Sequence, residues 1–361
     1  MHVPETHETR RDRLRRRFLA DGADAALVTT LVNVRYLTGF TGSNAALLVT
    51  EGHAVLATDG RYTTQAAAQS PDVERLIDRA CAAALVARAG RDRVGRLAFE
   101  AQDVTVEDHE ALSALDGAPH LAPLGRVVED LRTVKDEAEI ALVARACAVS
   151  DEALTGLCPT VRPGRTERDV ARDLEHRMLA AGADFRAFET IVASGPNSAI
   201  PHHRPTDRVI EAGDLLTIDF GALVAGYHAD CTRTFVVGRE PADWQREIHD
   251  VVRRAQRAGR HALVPGAGLR EVDSAARDVV AAAGYAEAFP HGLGHGVGLE
   301  IHEAPMFGQQ STGKLESGSP VTVEPGVYLP GRGGVRIEDT LVVREDGADL
   351  LTTTPKDLLV L

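Results

Sequence analysis

A helical scheme occurs twice in the second half of this chain. Pro-Gly and Ala-Gly pairs enclose a helix-like segment over residues 163–182, and the same scheme returns 102 residues later over residues 265–284. Helical stretches precede both copies, at residues 136–157 and 243–263. Similarity at a fixed spacing is typical of a repeated unit, although such pairs also mark ordinary helix ends in an alanine-rich chain. We favour duplication, because acidic strand pairs follow both copies, and we expect two similar halves that face each other.

The first strand pair carries Asp219 and Asp230. Asp219 lies in the apolar run 215–221, Gly226 marks a turn, and Asp230 lies in the returning run 229–235. A hairpin would place the two carboxylates side by side on one face of a sheet. Carboxylates that repel each other and lose hydration are tolerated only with cations or a basic partner. The alternative is a solvent-exposed edge, which the apolar neighbours of Asp219 disfavour.

The second strand pair repeats this arrangement with Glu324 and Glu338. Glu324 lies within the apolar run 320–328 and Glu338 within the run 335–342, with one proline and three glycines around the turn that joins them. The sequence therefore predicts two strand-borne acids from each half, which would meet where the halves face each other.

A glycine-rich segment with three histidines, residues 291–302, lies between the two acidic pairs. Its glycines let the backbone approach a ligand closely. A single buried histidine is more often structural than a ligand, but three of them beside four acids favour a metal site. Imidazole and carboxylate ligands suit ions such as Mn²⁺, Co²⁺ or Fe²⁺. Four carboxylates balance two divalent ions, and such a pair can acidify a shared water for hydrolysis.

Composition and charge disfavour several other classes of protein. The net charge of -13 argues against a nucleic-acid binder, and we interpret the arginine-rich start, residues 10–17, as the solvated face of a first helix. The sequence has no apolar run of about 18 residues and no secretory signal, so we expect no membrane association. The four cysteines lack CxxC spacing, which favours a reducing, cytoplasmic location.

The first part of the chain alternates strand-like and helix-like segments. Strands are predicted at residues 25–29, 45–49 and 53–57. We place the domain boundary near residue 130, which gives a small α/β domain over residues 1–130 and a larger domain over residues 131–361.

These residues resemble the pita-bread metallopeptidase family, which includes methionine aminopeptidases, prolidases and Xaa-Pro aminopeptidases. Residues 33–44 and 58–62 resemble the N-terminal domain of its proline-specific members. The resemblance implies an α+β fold, in which a C-terminal pita-bread domain of two pseudo-symmetric ααββ halves follows a smaller N-terminal α/β domain of the creatinase/prolidase type. The family's five metal ligands fall on Asp219, Asp230, His295, Glu324 and Glu338.

The resemblance also implies a role for each ligand. Asp219 would hold a first ion, His295 and Glu324 would hold a second, and Asp230 and Glu338 would bridge the two. Glu324 would also carry protons for the attacking water. The implied cofactor is two divalent metal ions, with Mn²⁺ as first choice and Co²⁺, Fe²⁺ or Zn²⁺ as alternatives.

Further residues match substrate-side or supporting positions of the family. His202 would be a catalytic, substrate-side histidine, and His302 would bond the scissile carbonyl and the developing oxyanion. His291 would line the proline pocket. Arg336 would orient a bridging carboxylate or bind substrate, and Thr232 would brace the carboxylate two residues before it.

The activity implied by the resemblance is hydrolysis of the bond before proline. Our first hypothesis is an Xaa-Pro aminopeptidase, which acts on peptides with proline at position 2, and residues 40–44 and 58–62 favour it. A prolidase, which cleaves only Xaa-Pro dipeptides, would have identical ligands. The third hypothesis is a metal-free pita-bread module that binds a protein partner, and the presence of all five ligands disfavours it. Family analogy also implies a homodimer.

Overall fold

The scheme predicted twice from the sequence is built from matching helices in the computed structural model, which describes residues 6–361. Each copy has a helix of 14 residues packed against a longer helix that precedes it, namely Glu167–Ala180 against Glu137–Leu157 and Leu269–Ala282 against Asp243–His261. The glycines of the Pro-Gly and Ala-Gly pairs all have positive φ, at Gly164, Gly182, Gly266 and Gly284. Because glycine adopts this conformation without steric cost, it suits the turns at both ends of each repeated helix. These features support the predicted duplication.

The chain divides into two compact units, Met1–Arg132 and Thr133–Leu361. The helices and strands from the start of the first unit to its end are α1 His7–Ala20, β1 Ala25–Val28, α2 Leu31–Thr38, β2 Ala45–Thr50, β3 Ala54–Thr58, α3 Thr63–Gln69, β4 Glu74–Ile77, α4 Cys81–Arg91, β5 Arg96–Phe99, α5 Val106–Ser113, β6 His120–Pro123 and α6 Val127–Thr133. The predicted domain ranges, 1–130 and 131–361, stay a prediction.

One six-stranded sheet forms the centre of the first unit, in the order β4-β3-β2-β1-β5-β6. Strand β2 pairs antiparallel with β3 on one side and with β1 on the other, and the pairs β3–β4, β1–β5 and β5–β6 are parallel. Apolar side chains of β1, β2, β3 and β5 pack against the buried face of α4, including Leu85 and Val86. The sheet and this helix therefore share one hydrophobic core.

The two segments that resemble proline-specific relatives meet within the first unit. Asn44 Nδ2 donates to Asp59 Oδ2 over 2.8 Å, and the hydroxyls of Ser43 and Tyr62 lie 2.6 Å apart. The ring of Phe40 meets that of Tyr62 edge-on. The segments therefore form one local cluster, although 15 residues separate Asn44 from Asp59 in the chain.

The arginine-rich start is only partly the solvated face that was predicted. Arg10 and Arg11 in α1 are buried, and they donate to the carbonyl oxygens of Tyr36 and Leu37 over 3.2 and 2.8 Å. The last carbonyls of a helix have no partner within it, so these guanidinium groups satisfy the end of α2. The prediction was wrong for these two residues because the sequence does not reveal which helix end packs against them.

The second unit contains the remaining elements. They are α7 Glu137–Leu157, α8 Glu167–Ala180, β7 Phe185–Arg186, β8 Ile191–Ser194, β9 Leu215–Phe220, β10 Ala222–Val224, β11 Tyr227–His228, β12 Cys231–Val236, α9 Asp243–His261, α10 Leu269–Ala282, β13 Gly294–Gly296, β14 Glu303–Phe307, β15 Pro320–Val323, β16 Gly326–Leu329, β17 Gly333–Arg336, β18 Asp339–Arg344 and β19 Gly347–Leu350. The sheets have the orders β11-β10-β7, β12-β9-β8, β14-β13-β15-β18-β19 and β16-β17. Within residues 6–361, no helix combines the length and apolar character that crossing a bilayer requires.

Only one of the four predicted acids lies inside a strand. Asp219 belongs to β9, whereas Asp230 directly precedes β12, Glu324 follows β15, and Glu338 separates β17 from β18. Each predicted apolar run of the second half splits into two strands, which join different sheets, so the prediction of unbroken strands at Glu324 and Glu338 was wrong. At Glu324 the cause is Pro325, which lacks an N–H group and cannot continue a ladder. At Glu338 the backbone N–H donates instead to the carbonyl of Thr232.

Glycine residues let other strands approach His295 on both sides. A Cβ atom on Gly294 would overlap the carbonyl oxygen of Thr322, and one on Gly296 would overlap that of Ala304. Both obstacles are backbone atoms, which cannot rotate away as a side chain can. The close spacing of β13, β14 and β15 therefore requires glycine at these two positions.

We expect Gly294→Ala to destabilise the protein by about 1–3 kcal/mol, because an added methyl group must push β13 away from β15. Urea denaturation would measure the free energy of unfolding. Gly308→Ala is the matched control, since the nearest atom to its new methyl group would be Ser311 Oγ at 3.6 Å. Equal stability of the two variants would show that the strand spacing does not depend on Gly294.

Candidate metal site

The structure brings the five predicted ligands together around one cavity of about 300 Å³ in the second unit. Asp219, Asp230, His295, Glu324 and Glu338 all line it. One side-chain donor atom from each of Asp230, His295 and Glu338 lies within 4.8 Å of the other two. His295 Nε2 is 3.5 Å from Asp230 Oδ2 and 3.4 Å from Glu324 Oε1. Residues far apart in the chain thus place one imidazole and four carboxylates in contact range.

Asp219 and Asp230 share a face but are not directly opposite each other. Asp219 in β9 pairs with Thr232 in β12. Asp230 precedes Thr232 by two residues, and residues two apart on a strand point to the same face. Cys231, which lies between Asp230 and Thr232, points to the opposite face, and its Sγ lies 3.8 Å from the backbone carbonyl oxygen of Glu338.

The clustered acids carry more negative charge than their surroundings balance. Burial, followed by repulsion from Asp219, raises the pKa of Asp230 well above its ordinary value. Burial, followed by repulsion from Asp230, does the same for Glu338, and burial raises the pKa of Glu324. Burying like charges this closely is unfavourable without a counter-charge.

Two buried carboxylate oxygens also lack hydrogen-bond donors. Asp219 Oδ1 and Glu338 Oε1 have no donor among the described residues. A buried acceptor without a partner costs about 1–3 kcal/mol, and more when it is charged. Divalent cations would supply both the missing partners and the missing charge, so the residues present fit the metal site predicted from the sequence.

A hydrogen bond orients the ring of His295. Its Nδ1 lies 3.0 Å from the carbonyl oxygen of Gly296. Because a carbonyl oxygen only accepts, Nδ1 is the donor of this bond. Nε2 faces Asp230 and Glu324, and it is the ring nitrogen placed to bind a metal.

Two supporting side chains reach different carboxylates from those predicted. Thr232 Oγ1 donates to Glu338 Oε2 over 2.7 Å, whereas the prediction assigned it to Asp230. Arg336 donates to Asp219 Oδ2 over 2.6 Å, whereas the prediction gave it a bridging carboxylate. The backbone bridge between Thr232 and Glu338 explains the first difference, because it brings these two residues directly opposite each other.

Arg336 and His291 belong to a hydrogen-bonded chain behind Asp219. Arg336 is 3% exposed, and it donates to the Tyr328 hydroxyl over 2.9 Å. The same hydroxyl lies 2.9 Å from Nε2 of His291, whose pKa burial lowers to about 4. Arg336 bonds Asp219 directly, and the predicted places of His291 in the proline pocket and of Arg336 in substrate binding stay predictions. Sequence analysis missed Tyr328. A tyrosine hydroxyl at the end of the apolar run 320–328 was the feature that could have indicated it.

His202 and His302 both line the cavity with the five acids and imidazole described above. Both are exposed, and the ring of His302 meets that of His295 edge-on with centroids 4.5 Å apart. Partial desolvation of this ring on its inner side, followed by its proximity to His295, lowers the pKa of His302 below that of an ordinary histidine, so its imidazole is neutral near pH 7. His203 differs from its neighbour, because it is buried and hydrogen-bonded to Glu167. Both His202 and His203 line the cavity, but only His202 is exposed, and the choice of His202 as the substrate-side histidine stays a prediction.

The rest of the cavity wall combines apolar and charged groups. Glu189 and Arg204 form an ion pair of 3.2 Å at exposed positions. Phe188, Ile191 and Ile301 supply the apolar surface. The cavity wall near the acids therefore offers a ligand both apolar contacts and charged partners.

The fold and this site define a metal-dependent peptidase. The profile of Metallopeptidase family M24 matches residues 141–345, and that of the Creatinase/Prolidase N-terminal domain matches residues 10–134. The chain belongs to metallopeptidase family M24, as the resemblance in its sequence indicated.

Relatives and solved structures share this architecture. The Xaa-Pro dipeptidase of Pyrococcus furiosus is 46% identical over 64% of this chain and 67% of its own length. A solved structure of an Xaa-Pro dipeptidase from Bacillus anthracis has a TM-score of 0.95 and 38% identity, covering 99% of this chain and 100% of the other. The structure of an X-Pro aminopeptidase from Thermotoga maritima has a TM-score of 0.89 and 36% identity, covering 97% and 99% respectively.

We expect Thr232→Val to lower the affinity for divalent metal by about 10–100-fold, because it removes the donor that orients Glu338 while keeping the side chain's shape. Titration calorimetry of the metal-stripped protein with Mn²⁺ would measure the affinity. Thr217→Val is the matched control, since Thr217 Oγ1 bonds the hydroxyl of Thr234 in the same sheet and no carboxylate. Unchanged Mn²⁺ affinity in Thr232→Val would contradict the bracing role.

Proposed function

We propose that this chain is an Xaa-Pro dipeptidase, or prolidase, that works with two divalent metal ions. The observation that carries this proposal is the buried cluster of four carboxylates and one imidazole, with two acceptor oxygens left without donors. The ligands would be Asp219, Asp230, His295, Glu324 and Glu338, with Asp230 and Glu338 as the bridging pair. A protein-binding module without metal would have no use for such a cluster.

The names of the relatives favour the dipeptidase over the aminopeptidase that the sequence analysis preferred. Relatives from Pyrococcus furiosus and Bacillus anthracis are named Xaa-Pro dipeptidases, although the Thermotoga maritima neighbour is named an aminopeptidase.

The bound ions would supply Lewis-acid polarisation of a carbonyl oxygen and acidification of water. The protein's own groups would do the rest of the work. His302, neutral near pH 7, has one ring N–H to donate to the oxygen of the scissile bond as negative charge develops there. His202 would contact the substrate across the cavity, and Glu324 would carry the proton to the departing proline nitrogen.

Three further features belong to this proposal. Mn²⁺ is the proposed metal, since oxygen ligands with one imidazole suit it, and Co²⁺, Fe²⁺ and Zn²⁺ are the alternatives. A homodimer is the proposed assembly, by analogy with the family. The cytoplasm is the proposed location, because the cysteines form no pattern of a disulfide framework.

Comparing Ala-Pro with Ala-Pro-Ala tests the proposed substrate class. We expect the Mn²⁺-loaded enzyme to hydrolyse the dipeptide with at least a tenfold higher kcat/KM, measured by chromatography of the released alanine. Ala-Ala is the control for proline specificity, and it should be a poor substrate. A preference for the tripeptide would instead favour the aminopeptidase, and no hydrolysis of either by metal-loaded protein would refute a proline-directed peptidase.

Two substitutions separate metal binding from substrate binding. We expect Asp230→Ala to abolish hydrolysis, because it removes a shared metal ligand. His302→Ala should keep the metal and lower kcat by roughly 10²-fold, as loss of an oxyanion donor does. Elemental analysis measures the bound metal, and steady-state kinetics measure kcat. His261→Ala, at an exposed histidine, is the matched control. Full activity in either site variant would contradict its assigned role.

A further inference from the structure

The carboxylate of Glu167 holds together one long segment of the second unit. Glu167 begins α8 and is completely buried. Its Oε1 accepts from the N–H and hydroxyl of Ser194 and from Asn197 Nδ2, over 2.8, 2.8 and 2.9 Å. Its Oε2 accepts from His203 Nε2 and from the N–H and hydroxyl of Thr206, over 2.8, 3.0 and 2.7 Å. A single side chain thus receives six donors from residues 194–206.

These donors enclose His202. Ser194 and Asn197 precede His202 in the chain, His203 follows it directly, and Thr206 lies four residues after His202. His202 and His203 both line the cavity, but His202 is exposed, whereas His203 is buried and bonded to Glu167. Because one planar peptide bond joins the two residues, anchoring the His203 side chain restricts the backbone that carries His202.

The segment around His202 contains little regular structure. Strand β8 ends at Ser194 and β9 begins at Leu215, with a short 3-10 turn, Gly195–Ala199, and an isolated bridge at Val209 between them. The N–H of Arg168 donates to the carbonyl of Thr206, Arg336 donates to the carbonyl of Pro201, and the N–H of Gly334 donates to Ser198 Oγ. The six hydrogen bonds to Glu167 are therefore the largest set that one side chain makes to this segment.

Glu167 stays ionised while it does this. Burial raises its pKa, but hydrogen bonds from Asn197, His203 and Thr206 outweigh burial and lower the pKa to about 2. Charge-assisted hydrogen bonds are about twice as strong as neutral ones. Each of the six contacts above therefore gains from the negative charge.

We propose that Glu167 is a positioning residue that sets the place of His202 in the cavity without acting on metal binding. This inference rests on the proposed function, because it gives His202 a contact with substrate. None of the six hydrogen bonds described above involves a predicted metal ligand. The effect of Glu167 on catalysis would pass through the segment 194–206 alone.

Glu167→Gln is the direct test, in the full-length, Mn²⁺-loaded enzyme. Glutamine keeps the shape but replaces one acceptor oxygen by an NH₂ group, which faces three donors. We expect the metal content to be unchanged and kcat/KM for Ala-Pro to fall at least tenfold. Glu175→Gln removes a charge from the same helix without contacting the segment, since Glu175 pairs with Arg186, and it should retain full activity.

A double-mutant cycle distinguishes positioning from general support. If Glu167 acts through His202, then Glu167→Gln combined with His202→Ala will be no slower than His202→Ala alone. Additive losses, or loss of bound Mn²⁺ from Glu167→Gln, would overturn the proposal. Should Glu167→Gln fail to fold, Thr206→Val removes one hydroxyl donor to the same carboxylate, and the same cycle applies to it.

A second readout does not depend on activity. The imidazole NMR signal of His202, assigned by its absence in His202→Ala, should shift or broaden in Glu167→Gln, while that of His261 stays in place. An unmoved His202 signal would refute the positioning role even if the variant were slow. If the wild-type enzyme hydrolyses no Xaa-Pro peptide, the proposed function fails, and the NMR measurement still decides whether Glu167 places His202.

Discussion

Repulsion among buried carboxylates is the constraint on which the second unit of this protein depends. Asp219, Asp230, Glu324 and Glu338 are drawn to one cavity by the β-sheet pairings of two duplicated halves. Folding must bring these charges together at a cost, since burial raises the pKa of three of them. Divalent cations offset that cost, so metal binding also stabilises the folded form of this site.

The neighbours of the acids show how the fold meets part of this constraint. Arg336 compensates Asp219, and Thr232 satisfies one oxygen of Glu338. The other oxygen of each acid, Asp219 Oδ1 and Glu338 Oε1, has no donor within residues 6–361. The protein thus orients each carboxylate through one oxygen and leaves the other available. Orientation of this kind limits the reorganisation that binding a cation would require.

Much of this arrangement could be predicted from the sequence, because it depends on patterns that repeat. The duplicated helices follow from Pro-Gly and Ala-Gly pairs whose glycines all adopt positive φ. The convergence of the acids follows from their places in apolar runs. The predictions that failed are those that depend on the pairing register of the strands. The strand breaks at Glu324 and Glu338, and the partners chosen by Thr232 and Arg336, are set by which strands lie opposite each other. Glu167 gave no signal, because an acid in the first turn of a helix normally serves the helix dipole at the surface.

The duplication also bears on the direction in which a peptide can lie in the cavity. A peptide has distinct amino and carboxyl ends, and a cavity with true twofold symmetry would bind it equally well both ways round. Each half supplies two of the predicted ligand acids and two histidines to the cavity wall, but the histidines differ in their surroundings. In the first half His203 is bonded to Glu167, whereas in the second half His295 faces Asp230 and Glu324. Joining two copies in one chain allows each to change alone, so the acids can stay paired while the histidines distinguish one end of a substrate from the other.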